Sequence, residues 1–469
     1  MATHNDSRTL LGGGVMMLGV ATAFLTLLLL LSHIIYNIFF HPLRHFPGPK
    51  SWAATRLQWH RHSMQGDLIY AIKALHDQYG PVVRVAPDEL DYTTSTAWKT
   101  ILGKNSPEMS KAFDGRGAPP PANGVPGLIH SPKENHARLR RAIFPAFSDR
   151  ALRDQEGFVQ QYVDLLISKL SGFADAGKPC DLTVWYNYTS FDIIGDLAYG
   201  ESFHCLDNAE YHSLIHLVFG AVEVTLHELL RSYSLPLLCP PLIYYRLQGL
   251  MKYLAPKHLL KARQDTAQYS DDTMEKRLSA DRDDRKDFVS YTVAKSDVSD
   301  GLGREEIRSM SNELIVAGSD TTSRLLAGST HLVLTHPRVH SRLASEIRGA
   351  FATAKDINAV SVESLRMYPP SPSTLPRKVP GDGAEIDGQW VPGGTSVGIN
   401  QWSASQSSAN FHRANEFIPE RWLDLAELPE HMAREAPPSS LETTKLPCSP
   451  SHMVPDHVSA STLRRWSTD

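Results

Sequence analysis

Residues 313–324 read ELIVAGSDTTSR and place side chains that can move protons beside two small residues. Ala317 and Gly318 would let another group approach a helix backbone closely, and glycine with consecutive threonines weakens regular helical hydrogen bonding. Asp320 and Thr321 follow directly, and an acid beside a hydroxyl can hand protons to a bound species. The same residues would also fit a buried helix that ends at Asp320. This stretch alone therefore leaves both interpretations open.

A second group of charged residues lies nearer the carboxyl end. Glu363 and Arg366 are three residues apart in ESLRMYPP, so they share one face of a helix that the prolines end. Arg421, in the aromatic stretch FIPERW, could reach this pair. An exposed pair contributes little to stability, whereas a Glu–Arg–Arg network is tolerated only when it is buried and fully hydrogen-bonded.

The surrounding pattern predicts mainly helix. Apolar residues have helical spacing over 67–79. Residues typical of strands occur at 81–91, 385–391 and 395–400, which predicts a minor sheet built from both ends of the chain. The stretch 136–147, HARLRRAIFPAF, is basic and amphipathic. It fits either a solvated basic face or a clamp for an anionic group.

Composition excludes several classes of protein. The chain has 469 residues, 42% of them apolar and 21% charged, with a net charge of −4, which gives room for a large core. The sequence has no basic stripe with interleaved aromatic residues, so it does not suggest nucleic-acid binding. The four cysteines, without CxxC spacing, indicate neither zinc nor a disulfide framework and fit reduced thiols in a cytosol-facing protein.

Residues 10–40 contain no Asp, Glu, Lys or Arg, and the run is long enough to cross a bilayer. A cleaved signal peptide would have a shorter apolar region followed by small residues, so we expect a transmembrane anchor that ends in an interfacial aromatic belt. Arg44, Lys50 and Arg56 follow the span, which predicts a lumenal amino terminus and a cytosolic domain. Residues 41–60, which include FPGP, then form a proline-rich hinge.

Four stretches in this order resemble one family. The anchor with HPLRHFPGPK, then AGSDTT, ESLRMYPP and FIPERW resemble the fungal type of microsomal cytochrome P-450, the haem-thiolate monooxygenases. The resemblance extends to about residue 423. It implies a mainly α fold with a minor β lobe, a triangular prism that holds haem b between the central helix and a cysteine loop.

The resemblance also assigns roles to individual residues. It implies that Asp320 and Thr321 are catalytic and deliver protons to bound oxygen. Glu363, Arg366 and Arg421 would be a structural triad.

Cofactor binding is implied for a further set of residues. Ala317 and Gly318 would lie against the haem face. His136 and Arg140 would hold one haem propionate, and Arg377 would hold the other.

The function implied is insertion of one oxygen atom from O2 into an apolar small molecule, for which we expect a secondary metabolite. The electrons would come from NADPH through a membrane-bound reductase. The expected location is the endoplasmic reticulum membrane, with a single span, and no nucleic-acid partner is expected.

The chain departs from the family at the axial ligand. The family pattern FxxGxRxCxG is absent after FIPERW, and Cys448 lies in KLPCSPSH without the flanking glycines or arginine. We do not expect Cys448 to ligate iron, because its loop lacks the residues that shield the sulfur. A haem-free, non-catalytic remnant is therefore the alternative to the monooxygenase, and haem held by a surrogate such as His452 or His457 is a third hypothesis.

A shifted reading frame would explain the departure, and coincidence is the alternative, because the third bases of most codons are free. Met453 has the single codon ATG, so its G joined to the GT of Val454 encodes glycine in the shifted frame. The codons around this glycine permit QPFSYGPRSCIGVNLA, in which Phe, Gly, Arg, Cys and Gly fall in the family register. We therefore predict a frame change between about residues 423 and 445. On this hypothesis 61–423 is an incomplete catalytic domain, and 424–469 is an out-of-frame or disordered tail.

Overall fold

A computed structural model describes residues 17, 20–21, 24–25, 27–103, 109–112, 124–212, 215, 257–279, 285–293, 302–350 and 359–422. The tail over 424–469 lies outside this part of the chain, as do Cys239 and Cys448. Much of the segment 10–26 is also outside it. Among the described residues, no helix combines the length and the apolar character that crossing a membrane requires. The anchor over 10–40 stays a prediction.

Helices dominate the described residues, as predicted. They are α1 Lys50–Ala54, α2 Leu57–Gln65, α3 Leu68–Tyr79, α4 Ser95–Leu102, α5 Lys133–Ile143, α6 Asp149–Asp175, α7 Leu182–Tyr199, α8 Cys205–Asn208, α9 Lys257–Ser279, α10 Phe288–Val293, α11 Arg304–Thr335, α12 Pro337–Ala350, α13 Ala359–Met367 and α14 Gln401–Ser405. Residues 27–35 are also helical, and single tighter or wider turns occur at Tyr36–Phe40, Pro42–His45, Phe144–Phe147 and Pro419–Trp422.

The sheet joins both ends of the chain, as expected. Its strands are β1 Val82–Ala86, β2 Glu89–Tyr92, β3 Ser110–Lys111, β4 Arg377–Lys378 and β7 Ser396–Ile399, in the order β1-β2-β7-β4-β3. The strands β5 Ala384–Ile386 and β6 Gln389–Val391 form a separate hairpin. Strand β2 pairs in parallel with β7, with Leu90 opposite Val397, and both side chains are fully buried. The fold class, mainly α with a minor β lobe, is confirmed.

The proline-rich stretch FPGP, residues 46–49, packs against the first strand. The backbone amide of Arg84 in β1 donates to the carbonyl of Pro47 at 2.7 Å. A Cβ on Gly48, whose φ is +151°, would lie 2.8 Å from the carbonyl oxygen of Arg84, so a side chain there would collide with the strand. The Arg84 guanidinium also donates to the carbonyl of Asn37 at 3.0 Å. The segment after residue 36 is thereby docked on the sheet.

Helix α11 is the longest described helix, and it packs antiparallel against α7. Tyr199 donates to Asn312 Oδ1 at 2.5 Å near one end of the pair, and Tyr186 and Thr330 share a 2.9 Å hydrogen bond near the other. Helix α11 continues through Asp320 without a break. The interpretation of a helix that ends at Asp320 is therefore wrong, because the contacts with α7 support α11 on both sides of that residue.

Candidate active site

Ala317 and Thr321 lie one turn apart on α11 and on the side of the helix that carries exposed small and apolar side chains. The Thr321 hydroxyl donates to the carbonyl of Ala317 at 2.5 Å, while Ala317 and Val316 are exposed. This hydrogen bond to the preceding turn is one that favours local bending of a helix. The role of these residues toward a bound species stays a prediction.

Asp320 belongs to the same stretch and carries a charged partner. Its Oδ2 lies 2.7 Å from Nε of Arg324, four residues on, and one third of its side chain is exposed. Arg324 is more exposed than Asp320. The acid is therefore in contact with solvent while its orientation is held by Arg324.

Gly318 packs closely against α7. A Cβ at Gly318 would stand 2.9 Å from Cδ1 of Ile194 in α7, so the glycine faces the neighbouring helix. We predicted that it would lie beside Ala317 on the haem face. Gly318 precedes Thr321 by three residues, so it still lies on a neighbouring part of the same helix side, and its role toward the haem stays a prediction.

The basic residues predicted to hold propionates lie on two elements. His136 and Arg140 are four residues apart on α5, where His136 is partly buried and Arg140 is exposed. Arg377 is partly buried in β4, opposite Lys111 of β3. Their role toward a cofactor stays a prediction.

Sequence reasoning missed the residue that connects α5 to α11. The guanidinium of Arg138 contacts both carboxylate oxygens of Glu306, with one N–O distance of 3.2 Å. Burial alone would raise the pKa of Glu306, but hydrogen bonds from Arg138 and the Gly303 amide, with the Arg138 charge, hold that pKa below its usual value. The only available signal was the basic pattern of 136–147, which does not say which arginine faces α11.

Glu363 lies at the centre of a buried hydrogen-bond network. Its carboxylate is fully buried and accepts two hydrogen bonds from Arg366, at 3.0 and 2.8 Å, and one from Arg421 Nε at 3.1 Å. The Ile418 amide and the Trp422 indole donate to the same carboxylate at 2.9 and 2.8 Å. Burial lowers the pKa of Arg421 despite the attraction of Glu363. The three residues that the sequence grouped are thus in direct contact.

Arg366 also holds the chain that follows α14. It donates to the carbonyls of Ser405 and Ala414 at 2.7 Å and to that of Glu416 at 2.9 Å. The guanidinium lies over the ring of Phe411 at 5.1 Å from its centroid. Four per cent of Arg366 is exposed, and full hydrogen bonding makes that burial tolerable.

With this geometry established, the comparisons with known proteins identify the family. Residues 46–435 match the sequence model of the Cytochrome P450 family. The chain belongs to the cytochrome P450 family.

The chain is similar to several fungal cytochromes P450. Cytochrome P450 monooxygenase alt3 of Alternaria solani is 41% identical over 412 residues, which cover 85% of this chain and 78% of that protein. Averantin hydroxylase of Dothistroma septosporum is 38% identical over 445 residues, covering 92% and 81%. Cytochrome P450 monooxygenase stcF of Emericella nidulans is 41% identical over 409 residues, covering 84% and 81%.

Membership of the P450 family defines the chemistry. By family the chain is an oxidoreductase, a haem-dependent monooxygenase that receives electrons from NADPH through a reductase. The relatives give no support to the alternative of a haem-free remnant.

The cysteines of the described chain do not supply the thiolate that P450 haem requires. Cys205 is fully buried, where its amide donates to Asp192 of α7 at 3.0 Å and its sulfur accepts from the His212 amide at 3.4 Å, so it does not face the exposed side of α11. Cys180 precedes α7 and thus lies beyond the contact of Tyr186 with Thr330. Thr330 is about 20 Å along α11 from Ala317 at the helical rise. Among the described residues, α11 has an exposed side at Ala317 that could face the haem, but neither Cys180 nor Cys205 lies on it.

Proposed function

We propose that this P450 oxygenates an apolar small molecule of fungal secondary metabolism, by hydroxylation or epoxidation. The observation that carries the proposal is the side of α11 with exposed Val316 and Ala317 next to Thr321 and Asp320. Exposed apolar and small side chains beside a proton donor suit an apolar substrate that must be protected from bulk water. The relative named averantin hydroxylase supports this substrate class.

Haem bound through a thiolate supplies oxygen activation in this family, and the chain's own residues supply the protons. Thr321 Oγ holds a proton that it donates to the Ala317 carbonyl, and rotation of the hydroxyl would aim it away from the helix. Asp320 is one third exposed, so its carboxylate can exchange protons with water while Arg324 fixes Oδ2. We assign Thr321 as the proton donor at the site and Asp320 as the residue that resupplies it.

We further propose that the coding sequence contains the thiolate loop in a shifted frame. Three observations support this proposal. The family match ends at residue 435, before Cys448. Neither described cysteine, Cys180 or Cys205, lies in the family's ligand pattern FxxGxRxCxG. The codons of 448–463 permit the complete family pattern in one frame. Sequencing the locus and the transcript tests it, and a continuous frame with no alternative junction would refute it.

The proposed location is the endoplasmic reticulum membrane, with the catalytic domain in the cytosol beside a membrane-bound reductase. Residues 10–40 carry no charged side chain, and Leu27, Phe39 and Phe40 in this segment are exposed apolar residues. Such side chains suit a lipid and interfacial environment. A protease-protection assay on microsomes tests the orientation: proteolysis from outside the vesicle should remove the domain after residue 41.

An activity assay tests the substrate class. Microsomes with this P450, its frame restored, and a reductase are supplied with NADPH, O2 and averantin as the apolar probe. We expect a product heavier by one oxygen atom that depends on both NADPH and O2. A haem-loaded enzyme that oxygenates only charged, water-soluble probes would contradict the proposal.

A further inference from the structure

Asn187 of α7 links that helix to the part of α11 that carries the proposed proton donors. Its Oδ1 accepts a hydrogen bond from the Ser323 hydroxyl at 2.7 Å. Ser323 is fully buried, whereas Ala317, about 120° around the same helix, is exposed. The Ser323 hydroxyl is therefore shielded from water and depends on acceptors within the protein for its hydrogen bond.

The same hydroxyl contacts the peptide group between Asp320 and Thr321. Ser323 Oγ lies 3.0 Å from the carbonyl oxygen of Asp320, and this carbonyl forms one peptide group with the amide of Thr321. A hydroxyl has a single proton, so Asn187 and the Asp320 carbonyl compete for it. The contact with Asn187 is the shorter of the two. Asn187 thus limits the hydrogen bonding of Ser323 to its own helix, which is the kind of bond that bends a helix.

The side chain of Asn187 is itself held in place. Burial raises the pKa of Tyr211, and a hydrogen bond from the Asn187 side chain partly opposes this rise. The Tyr211 ring packs edge-on against Tyr188, with the centroids 4.9 Å apart, and the Tyr188 hydroxyl donates to the carbonyl of Ala209 at 3.1 Å. Since an amide has an acceptor oxygen and a donor nitrogen, Asn187 can bind Ser323 and Tyr211 at the same time.

Helices α7 and α11 also approach each other closely beside this hydrogen bond, at Gly318 and Ile194. Ser319 is another buried serine of this stretch, and its hydroxyl donates to the carbonyl of Ile315 at 2.6 Å, within α11. The proton of Ser319 therefore stays within the helix, whereas that of Ser323 reaches α7. Asn187 is thus placed to fix the backbone of α11 next to Thr321.

We propose that Asn187 is a positioning residue for proton delivery, which acts through Ser323. By accepting the Ser323 hydroxyl, Asn187 fixes the peptide group that joins Asp320 to Thr321, and this peptide sets the direction of the Thr321 side chain. The role of the proton donors rests on the proposed function, whereas the link between α7 and α11 is independent of haem.

The first experiment measures hydrogen exchange of the full-length chain in detergent micelles. Asn187→Leu removes the acceptor at a similar side-chain size, and Ser323→Ala removes the donor. We expect each variant to accelerate exchange of the amides of residues 320–325 about fivefold, the effect of one lost hydrogen bond.

The matched control is Tyr186→Phe, which removes a hydrogen bond between the same two helices at Thr330. Thr330 is about 14 Å along α11 from Thr321, so the control should leave residues 320–325 as protected as in the unsubstituted protein. Unchanged exchange in Asn187→Leu and Ser323→Ala would overturn the link. Equal acceleration throughout α7 would also overturn it, because the effect would then be general destabilisation.

The second experiment measures coupling in the haem-loaded enzyme, its frame restored, with a reductase, NADPH and averantin. We expect Asn187→Leu and Ser323→Ala each to lower product per NADPH about threefold, because the proton donor is displaced rather than removed. Peroxide should rise, and the rate of NADPH consumption should hardly change. The double variant should lose no more than Ser323→Ala, because both substitutions break one interaction. Asn187→Asp keeps the acceptor and should recover most of the coupling.

Tyr186→Phe should couple as well as the unsubstituted enzyme. Full coupling in Asn187→Leu and Ser323→Ala would overturn the positioning role. Losses that add in the double variant, or a parallel fall of NADPH consumption and product, would also overturn it. An unsubstituted haem-loaded enzyme that forms no oxygenated product would count against the proposed function, while the exchange experiment still decides the link between the helices.

Discussion

The indole nitrogen of Trp422 donates to Oε2 of Glu363 at 2.8 Å. This bond joins the end of the described chain to the buried carboxylate of α13, which already binds Arg366 and Arg421. The stretch from α14 to Trp422 therefore depends on one carboxylate for its position. Whatever follows Trp422 in the functional enzyme starts from this fixed point.

Removal of this carboxylate should destabilise the protein strongly. Glu363→Ala leaves Arg366 and Arg421 without their shared anion, and breaking a buried ion pair costs about 3–5 kcal/mol. Thermal unfolding of the full-length protein should show a large fall in the midpoint. Glu416→Ala is the matched control, because its exposed carboxylate pairs only peripherally with Arg413 and its backbone carbonyl still accepts from Arg366. A midpoint in Glu363→Ala equal to that of the control would contradict this account of the network.

The ion pair of Glu306 with Arg138 should make stability depend on pH in the acid range. The folded pKa of Glu306 lies below its ordinary value of 4.5, so its contribution is complete above that value and is lost as the pH falls through the folded pKa. The difference in unfolding free energy between the unsubstituted protein and Glu306→Gln should therefore shrink from neutral pH toward acid. Urea unfolding at several pH values measures it. A difference that stays constant down to the acid limit would refute the assignment.

Cys205 should resist alkylation in the folded protein. The thiolate is the reactive form, and burial raises the pKa of this thiol to about 12 while excluding the reagent. With iodoacetamide at about pH 8, peptide mapping should find Cys180, which is partly exposed, modified well before Cys205. Unfolding in urea should remove the difference. Equal labelling rates in the native protein would contradict the described burial.

Thr321 should affect coupling of electrons to product rather than stability. In the haem-loaded enzyme, Thr321→Ala removes the hydroxyl that we assign as proton donor, so product per NADPH should fall by roughly tenfold or more, within the range of acid–base contributions. Peroxide should rise in proportion, and the unfolding midpoint should hardly change. The adjacent and exposed Thr322→Ala is the control. Equal coupling in the two variants would exclude the assigned role.

The sequence predicted the parts of this fold that depend on local pattern. The residues of the triad were found in the proline-containing stretches ESLRMYPP and FIPERW. The pattern of apolar residues predicted the strands. Spacing alone only allowed Arg421 to reach Glu363. The family resemblance predicted that the two residues belong to one triad.

Contacts between distant segments could not be predicted in the same way. His130 and Glu313 are 183 residues apart, and Arg138 and Glu306 are 168 apart, so no periodicity relates them. The contact of Gly318 with Ile194 of α7 could not be predicted either, because a small residue suits a helix neighbour as well as a cofactor.

The reduced carbon-monoxide difference spectrum tests the central claim most directly. It should be recorded on membranes with the chain as written and on membranes with the shifted frame restored after residue 423. We expect the Soret band of a thiolate-ligated haem in the restored protein and not in the chain as written, because the chain as written lacks the FxxGxRxCxG loop of the family. No such band in the restored protein would contradict the account of this P450 as a haem-thiolate monooxygenase, and a band in both would contradict the frame change.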